Sequence, residues 1–207
     1  SFASLSANAN VTLNSAHQMH GIVINAGASF NISNNHLKLT ASNPITQNGT
    51  FTNVNSKIEY NGTLAQSVST ANIVYSGLRI NNSAGAVFLG NVTVNDTLSV
   101  ILGSLNLNGK VITISSTGYL TETPGNVIYG TTGYVTYTRN IGTPASLNVG
   151  GLGAVLTATS NLGVTEVKRG HTVQTGLSGG TSIKRYYDIT PANNSGLNAS
   201  LVFKYDD

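Results

Sequence analysis

The residues that carry acid, base or nucleophilic chemistry are few in this chain of 207 residues. It holds 10 Lys and Arg, 7 Asp and Glu, 4 His and no Cys. The absence of Cys excludes disulfides, thiolate metal sites and a Cys nucleophile. Glycoside hydrolysis needs two carboxyl groups roughly 5 to 10 Å apart. The first 120 residues contain only Glu59 and Asp96, which are therefore the only candidates for a polysaccharide-degrading site there.

Two patterns resemble the sites of serine hydrolases. Gly176–Gly180 reads GLSGG and matches the G-x-S-x-G motif of a nucleophile elbow, which needs a strand before the Ser and a helix after it. The residues that follow it alternate as a strand, so we predict a glycine-rich hairpin loop instead. His171 and Asp188 would form a triad only if folding brought both to one serine. We predict no catalytic residue and no enzymatic activity.

Metal ligands are equally scarce. His17 and His20 lie three residues apart in a segment without helical periodicity and without a nearby carboxylate, which does not favour zinc. Asp206 and Asp207 are the one adjacent pair of carboxylates, whereas a calcium site needs several. We therefore predict no metal site and no cofactor.

One segment combines basic and aromatic side chains. In a strand, Lys184, Tyr186 and Asp188 share one face, while Arg185 and Tyr187 share the other. The first three residues form a candidate interaction face for a glycan or for the edge of a partner protein. In the alternative interpretation, one Tyr packs in the core and the charges pair across neighbouring strands.

Short strands must position these side chains. Between residues 10 and 120, apolar–polar–apolar triplets such as Ile22–Ile24 and Leu105–Leu107 recur, and Asn, Gly or Ser bound them. This alternation is typical of strands with one buried face. With three strands per turn, the spacing of the triplets predicts a repeat of roughly 17 to 22 residues, within the range of stacked repeat units. We predict a parallel β-helix, or β-solenoid, over residues 1–121.

Asn-Gly pairs punctuate this part of the chain, at Asn48–Gly49, Asn61–Gly62 and Asn108–Gly109. Tight turns need left-handed backbone positions, which Asn and Gly adopt readily. We therefore expect these pairs to form the corners between strands.

The pattern changes after a turn-rich segment at Thr123–Asn126. The strands predicted beyond it are longer, such as Gly133–Arg139 and Leu197–Tyr205. We predict a β-sandwich over residues 122–207. The expected fold class is all-β, with the parallel β-helix followed by the β-sandwich.

A resemblance to known proteins lies in four segments of this second part: Asn148–Leu156, Val167–His171, Ile183–Pro191 and Gly196–Asp207. These segments resemble a module of large repetitive bacterial cell-surface proteins, which look like substrates of type IX secretion. In such proteins, β-helical stretches rich in Gly and Asn precede the module. The resemblance implies an extracellular location on the bacterial cell surface, and it assigns no catalytic or binding residue.

Charge and hydropathy exclude two classes of partner. The sequence pI is about 9.2, but ten basic residues spread over 207 positions form no dense stripe for phosphate groups. No apolar run approaches the ~18 residues of a membrane-spanning helix. We predict no nucleic-acid binding and no transmembrane segment. The chain does not begin with Met, which fits an exported protein or a segment of a longer one.

These observations predict a structural and interaction protein, a subunit of a surface filament or adhesin stalk. Solenoids leave unpaired strand edges at their ends, which can pair with a second copy head to tail. The C-terminal strand is the expected assembly strand, because Leu201, Phe203 and Tyr205 share one apolar face. Other surface proteins and glycans remain open as partners. The alternative function is a carbohydrate-binding or polysaccharide-degrading β-helix protein.

Overall fold

Short strands stack in register along most of the chain and form a parallel β-solenoid of about seven turns. The structure is a computed structural model that describes residues 4–70, 73–175 and 182–204. Each of the first six turns contributes three strands. The strands of turns one to three are β1 (Leu5–Ala7), β2 (Asn10–Thr12), β3 (His17–Met19), β4 (Ile22–Ile24), β5 (Ser29–Asn31), β6 (His36–Leu39), β7 (Ile45–Gln47), β8 (Thr50–Thr52) and β9 (Lys57–Tyr60).

The stacking continues through a further four turns. Their strands are β10 (Gln66–Val68), β11 (Val74–Tyr75), β12 (Gly77–Asn81), β13 (Ala86–Phe88), β14 (Val92–Val94), β15 (Thr97–Leu102), β16 (Leu105–Asn106), β17 (Val111–Ile114), β18 (Tyr119–Glu122), β19 (Ile128–Tyr129) and β20 (Tyr134–Ile141). The first strands of successive turns begin 17 to 23 residues apart. The prediction of a parallel β-solenoid from the apolar triplets is thus confirmed.

Parallel pairing continues past residue 121, where the sequence pattern changes. Strand β19 pairs with β16, and the first half of β20 pairs with β17, from Val111 opposite Tyr134 to Ile114 opposite Tyr137. The seventh turn therefore lies in the segment for which we predicted a sandwich.

Antiparallel strands follow the last turn. They are β21 (Leu147–Asn148), β22 (Ala154–Ala158), β23 (Gly163–Gly170), β24 (Tyr186–Pro191) and β25 (Ala199–Phe203). Strand β23 pairs with β20 and β24 pairs with β23, so both extend one sheet of the solenoid. The others form a small sheet in the order β21–β22–β25. The one helical element of the described residues is the 3₁₀ turn Val149–Gly151, and no helix there is long and apolar enough to cross a membrane.

The solenoid has three faces, each built from stacked strands, and the register of these strands creates the core. The third strands form one continuous sheet in the order β18–β15–β12–β9–β6–β3. In this sheet Ile58 lies opposite Leu37 and Leu78, and all three are fully buried. Since strand side chains alternate between faces, every second residue enters such an inward column, and the residues between them form outward columns.

The other two sheets are interrupted between the third and fourth turns, because β7 and β8 end their sheets and β10 and β11 begin new ones. Buried polar groups occupy this position. The hydroxyl groups of Tyr60 and Tyr75 lie 2.7 Å apart, and both bond to the backbone of Ser69. The amide of Gln66 donates to the carbonyls of Leu39 and Ala41. These bonds satisfy polar groups that would otherwise be costly to bury.

Only one of the three Asn-Gly pairs adopts the predicted left-handed turn. Asn108 and Gly109 have φ angles of 51° and 74°. Gly49 and Gly62 are needed for a different reason. A Cβ atom at Gly49 would collide with the carbonyl oxygen of Ala28, and a Cβ atom at Gly62 would lie 2.7 Å from the carbonyl oxygen of Thr40. Those two glycines allow the backbones of successive turns to approach closely.

A charge placed in an inward column should unfold the solenoid, whereas the same charge on the outer face should be tolerated. Ile112 is fully buried between Val92 and Val135, and its neighbour Thr113 faces outward and is exposed. We expect Ile112→Asp to lower the free energy of unfolding by about 3 kcal/mol or more, and Thr113→Asp by less than about 1 kcal/mol. Chemical denaturation followed by circular dichroism measures both, and equal effects would contradict the stacked core.

Candidate functional site

The outer face of the continuous third sheet contains an unusual column of polar residues. In register from one turn to the next, it consists of Gln18, Lys38, Glu59, Arg79, Ser99 and Thr121. Glu59 lies between two cations in this column and is only 1% exposed, although it faces outward. The neighbouring side chains therefore cover it.

Four kinds of side chain surround the Glu59 carboxylate. Its Oε2 lies 2.9 Å from His36 Nε2 and 3.4 Å from Arg79 Nε. Its Oε1 lies 3.8 Å from Lys38 Nζ and accepts hydrogen bonds from the amides of Asn61 and Asn81, at 3.1 and 2.8 Å. Burial lowers the pKa of His36, the nearby cations lower it further, and Glu59 opposes them. The imidazole of His36 is therefore harder to protonate than an exposed one.

The second carboxylate of the solenoid lies elsewhere. Asp96 is exposed at the corner before β15, and its Oδ1 accepts a hydrogen bond from the hydroxyl of Thr97. Ser99 lies two strands away from Glu59 in the same column, and Asp96 lies three residues before Ser99. With strands about 4.8 Å apart and about 3.3 Å per residue, the two backbone positions are roughly 14 Å apart. The distance between these backbone positions is larger than the roughly 5 to 10 Å between the carboxyl groups of a glycosidase pair. In addition, both oxygens of the Glu59 carboxylate already have partners.

The candidate interaction face is only partly one surface. Tyr186 and Asp188 lie in β24, opposite Gly170 and Lys168, whereas Lys184 precedes the strand and lines a cleft. Tyr187 has the opposite orientation and packs against the core, with its hydroxyl donating to the carbonyl of Leu152. In β24, therefore, Tyr187 packs against the core, and Asp188 lies opposite Lys168 on the neighbouring strand.

The candidate assembly strand is an open edge. Strand β25 pairs with β22 on one side, and among the described residues no strand pairs with its other side. Leu201, Val202 and Phe203 are 47%, 58% and 48% exposed. Phe203 stacks on Tyr187 with the ring centres 4.9 Å apart. Apolar side chains are therefore exposed on both faces of this strand. Tyr205 lies outside the described residues.

The remaining sequence candidates do not come together. His17 Nε2 lies 3.2 Å from the hydroxyl of Ser15, and His20 Nδ1 lies 3.4 Å from that of Thr40. In the part of the chain that the structure describes, no group of three possible metal ligands is present. His171 makes no hydrogen bond to Asp188, which instead lies opposite Lys168. The motif Gly176–Gly180 and the pair Asp206 and Asp207 lie outside the described residues.

One buried ion pair could not be predicted from the sequence, because its two residues are 47 positions apart. Glu122 continues an inward column after Val100, and there its carboxylate meets the guanidinium of Arg169 in β23. The contact is bidentate, at 2.7 and 2.8 Å, and Arg169 is almost completely buried. Arg169 also donates to the carbonyl of Leu152, and Glu122 accepts a hydrogen bond from the backbone of Ile128. This ion pair joins the solenoid to the antiparallel strands.

The environment of Glu122 favours its charged form. Burial alone would raise the pKa of its carboxyl, but the charge and hydrogen bonds of Arg169 and the Ile128 amide outweigh burial and lower that pKa. A carboxyl whose folded pKa lies below its unfolded value stabilises the folded state at neutral pH and loses this contribution in acid.

Comparisons with protein-family models, with curated proteins and with solved structures find no match to this chain.

Removing the charge of Glu122 should destabilise the protein in a pH-dependent way. Glu122→Gln leaves Arg169 buried without its counter-ion, so we expect the free energy of unfolding at pH 7 to fall by about 3 to 5 kcal/mol. The difference from the wild type should shrink as the pH falls below about 4.5, where the carboxyl of the unfolded wild type begins to gain a proton. It should shrink further as the pH approaches the lower pKa of the folded carboxyl.

Urea denaturation at several pH values measures this difference. Glu166→Gln is the matched control, because Glu166 pairs with Lys168 on a partly exposed surface, and such pairs contribute less than about 1 kcal/mol. A difference between wild type and Glu122→Gln that is independent of pH would contradict the role of the ion pair.

Proposed function

We propose that this chain is an extracellular structural protein of a bacterial cell surface, a subunit of a filament or adhesin stalk that assembles through strand edges. One observation carries the proposal: in the described residues, the first turn of the solenoid and strand β25 of the small antiparallel sheet have open edges, and these four strands contain no charged residue and no proline. The resemblance of the second half to repetitive surface proteins supports the location.

The first open edges belong to the first turn. In the part of the chain that the structure describes, strands β1, β2 and β3 are each the last strand of their sheet. Lysine, proline and inward charges are the usual protection of such edges against pairing with another chain. Residues 4–20 contain no Lys, Arg, Asp, Glu or Pro. The turn thus offers three parallel edges without protection.

The second open edge is that of β25. The backbone amide of Lys204 donates to the carbonyl of Gly153, which precedes β22. Because backbone groups of a strand alternate in direction, the amides of Leu201 and Phe203 point to the unpaired side. Backbone donors and exposed apolar side chains therefore occur together at this edge, as strand addition requires.

A second copy of this chain is the partner that fits both edges. The edges of the first turn and of β25 are different surfaces of the chain, so contact between them is heterologous and repeats from copy to copy. Such contacts form open filaments unless a rotation closes them into a ring. Other surface proteins with a free strand would use the same edges.

The β-sandwich predicted for residues 122–207 is part of this proposal. Sheet β21–β22–β25 contacts the antiparallel end of the solenoid sheet through the stacked rings of Tyr187 and Phe203. A strand added to β25 by a second copy would extend the smaller sheet and cover Leu201 and Val202. The sandwich would then be completed between subunits.

We do not propose the polysaccharide-degrading alternative, since Glu59 is held by three basic side chains and two amides, and Asp96 is roughly 14 Å away along the sheet.

Blocking the β25 edge should prevent assembly without unfolding the subunit. Leu201→Pro removes an amide that points away from β22, so the pairing of β22 with β25 is kept. We expect the concentration at which assembly begins to rise at least about tenfold, the equivalent of one or two lost hydrogen bonds. Light scattering across a concentration series, with electron microscopy of the product, measures this change.

Leu201→Ala is the matched control, because it shortens the side chain and keeps the amide. It should assemble at a concentration well below that of Leu201→Pro, because it loses only part of one apolar side chain that the added strand would cover. A wild-type protein that stays monomeric at millimolar concentration, or a Leu201→Pro variant that assembles like it, would refute assembly through this edge.

The protein should hydrolyse no polysaccharide or ester in a broad screen, because the described carboxylates of the solenoid form no acid and base pair. Release of reducing sugar from the screened polysaccharides measures this. Turnover that disappears in Glu59→Gln or Asp96→Asn, but persists in Glu166→Gln, would show instead that the outer face of the third sheet is catalytic.

A further inference from the structure

A cleft of about 740 Å³ lies where the last solenoid turns meet the segment around β23 and β24. The corner after β16 and residues 127–132 line one side, and residues 171–173 and 183–185 line the other. Ligand sites of small molecules have volumes of this size and often lie where two structural units meet. The assembly edges on β1, β2, β3 and β25 do not contribute to it.

The cleft is positively charged. Lys184 and Arg185 line it, and no Asp or Glu of the described residues does. Neither cation forms an ion pair with a carboxylate of residues 4–70, 73–175 or 182–204. One guanidinium nitrogen of Arg185 donates to the carbonyl of Lys204 at 3.3 Å, and the guanidinium also faces the hydroxyl group of Tyr187. Its remaining N–H groups are donors for a ligand. An anion is therefore the favoured occupant.

A buried imidazole lines the same cleft. His171 is only 6% exposed, and its Nε2 is buried without a hydrogen bond to any described residue. Burial, together with the charges of Arg169 and Arg185, lowers the pKa of His171 to about 2. The ring is thus uncharged at pH 7, and its buried Nε2 is a polar atom that the described residues leave without a hydrogen bond. Buried polar atoms of this kind usually have a partner.

The rest of the lining suits a polyhydroxylated molecule. The hydroxyl groups of Thr131 and Thr132 and the amides of Asn106 and Asn108 line the solenoid side. Tyr129 is 48% exposed beside them. An exposed aromatic ring packs against the C–H groups of a sugar, while hydroxyls and amides bond to its hydroxyl groups.

We propose that this cleft binds a carboxylated sugar, such as a uronic acid unit of an acidic polysaccharide. Lys184 and Arg185 hold the carboxylate, the threonine and asparagine side chains bond to the hydroxyl groups, and Tyr129 packs against the ring. An inorganic anion would use the two cations alone and would leave the other groups without a role. The site gives the proposed surface protein a ligand that its assembly edges do not need.

Isothermal titration calorimetry tests the site with three acidic probes: a trimer of galacturonic acid, a trimer of mannuronic acid and a hyaluronan tetrasaccharide, which contains glucuronic acid. We expect at least one to bind the wild type. Lys184→Gln and Arg185→Gln should each weaken that binding at least about tenfold, the usual contribution of a charge-assisted hydrogen bond. Tyr129→Ala should weaken it as well.

Matched controls separate the charge of the site from the charge of the protein. Lys57→Gln removes an exposed cation on β9 and should leave the affinity unchanged. Where the galacturonate trimer binds, its methyl ester should bind at least about tenfold more weakly. Melting curves by circular dichroism establish that each variant is folded, and Leu201→Pro provides a monomer for the same titration.

Four results would overturn the proposal: no binding of any of the three acidic probes, equal binding of the methyl ester, equal binding by the Lys184 and Arg185 variants, or inorganic phosphate binding as tightly as the sugars. The last result would assign the two cations to a simple anion site.

Discussion

The in-register parallel stacking of turns is the constraint on which the rest of this structure depends. Because each residue lies directly opposite its equivalent in the next turn, inward residues form columns in the core and outward residues form columns on the surface. The same register that stacks Leu37, Ile58 and Leu78 in the interior also places Lys38, Glu59 and Arg79 side by side outside. The alternation of charge along that outward column explains why a carboxylate on the surface of a sheet is fully covered.

Stacking also determines where polar groups are buried. Where two sheets are interrupted after the third turn, Tyr60, Tyr75 and Gln66 place hydrogen bonds inside the core. At the end of an inward column, Glu122 takes the position that apolar residues occupy in earlier turns, and Arg169 compensates its charge. A solenoid has no intrinsic end, so each end is either capped or left with open edges. The ion pair attaches the antiparallel strands to one end, and the first turn of the other end has no comparable charged cap in the described residues.

Much of this fold could be predicted from the sequence, because most solenoid strands are only about as long as one apolar–polar–apolar triplet. Triplets such as Ile22–Ile24 and Val92–Val94 are themselves strands of the structure. The seventh turn was harder to predict, because β20 pairs in parallel with β17 on one side and antiparallel with β23 on the other. A strand of eight residues has the same alternation in both arrangements. Alternation alone predicts that Leu201 and Phe203 share an apolar face. The ion pair of Glu122 with Arg169 and the charged cleft depend on contacts between residues far apart in the chain, which local spacing does not predict.

Amide hydrogen exchange, compared between dilute and concentrated protein, tests the central claim most directly, namely that the first turn and β25 have open edges, whereas the inner turns between them are closed. The account predicts strong protection of β12 to β17 at every concentration, since each of these strands is paired on both sides. It predicts weak protection of residues 4–20 and 199–203 in dilute solution, and increased protection of these two segments alone when the protein is concentrated. Equal protection of the end segments and the inner turns in dilute solution, or no increase with concentration, would contradict it.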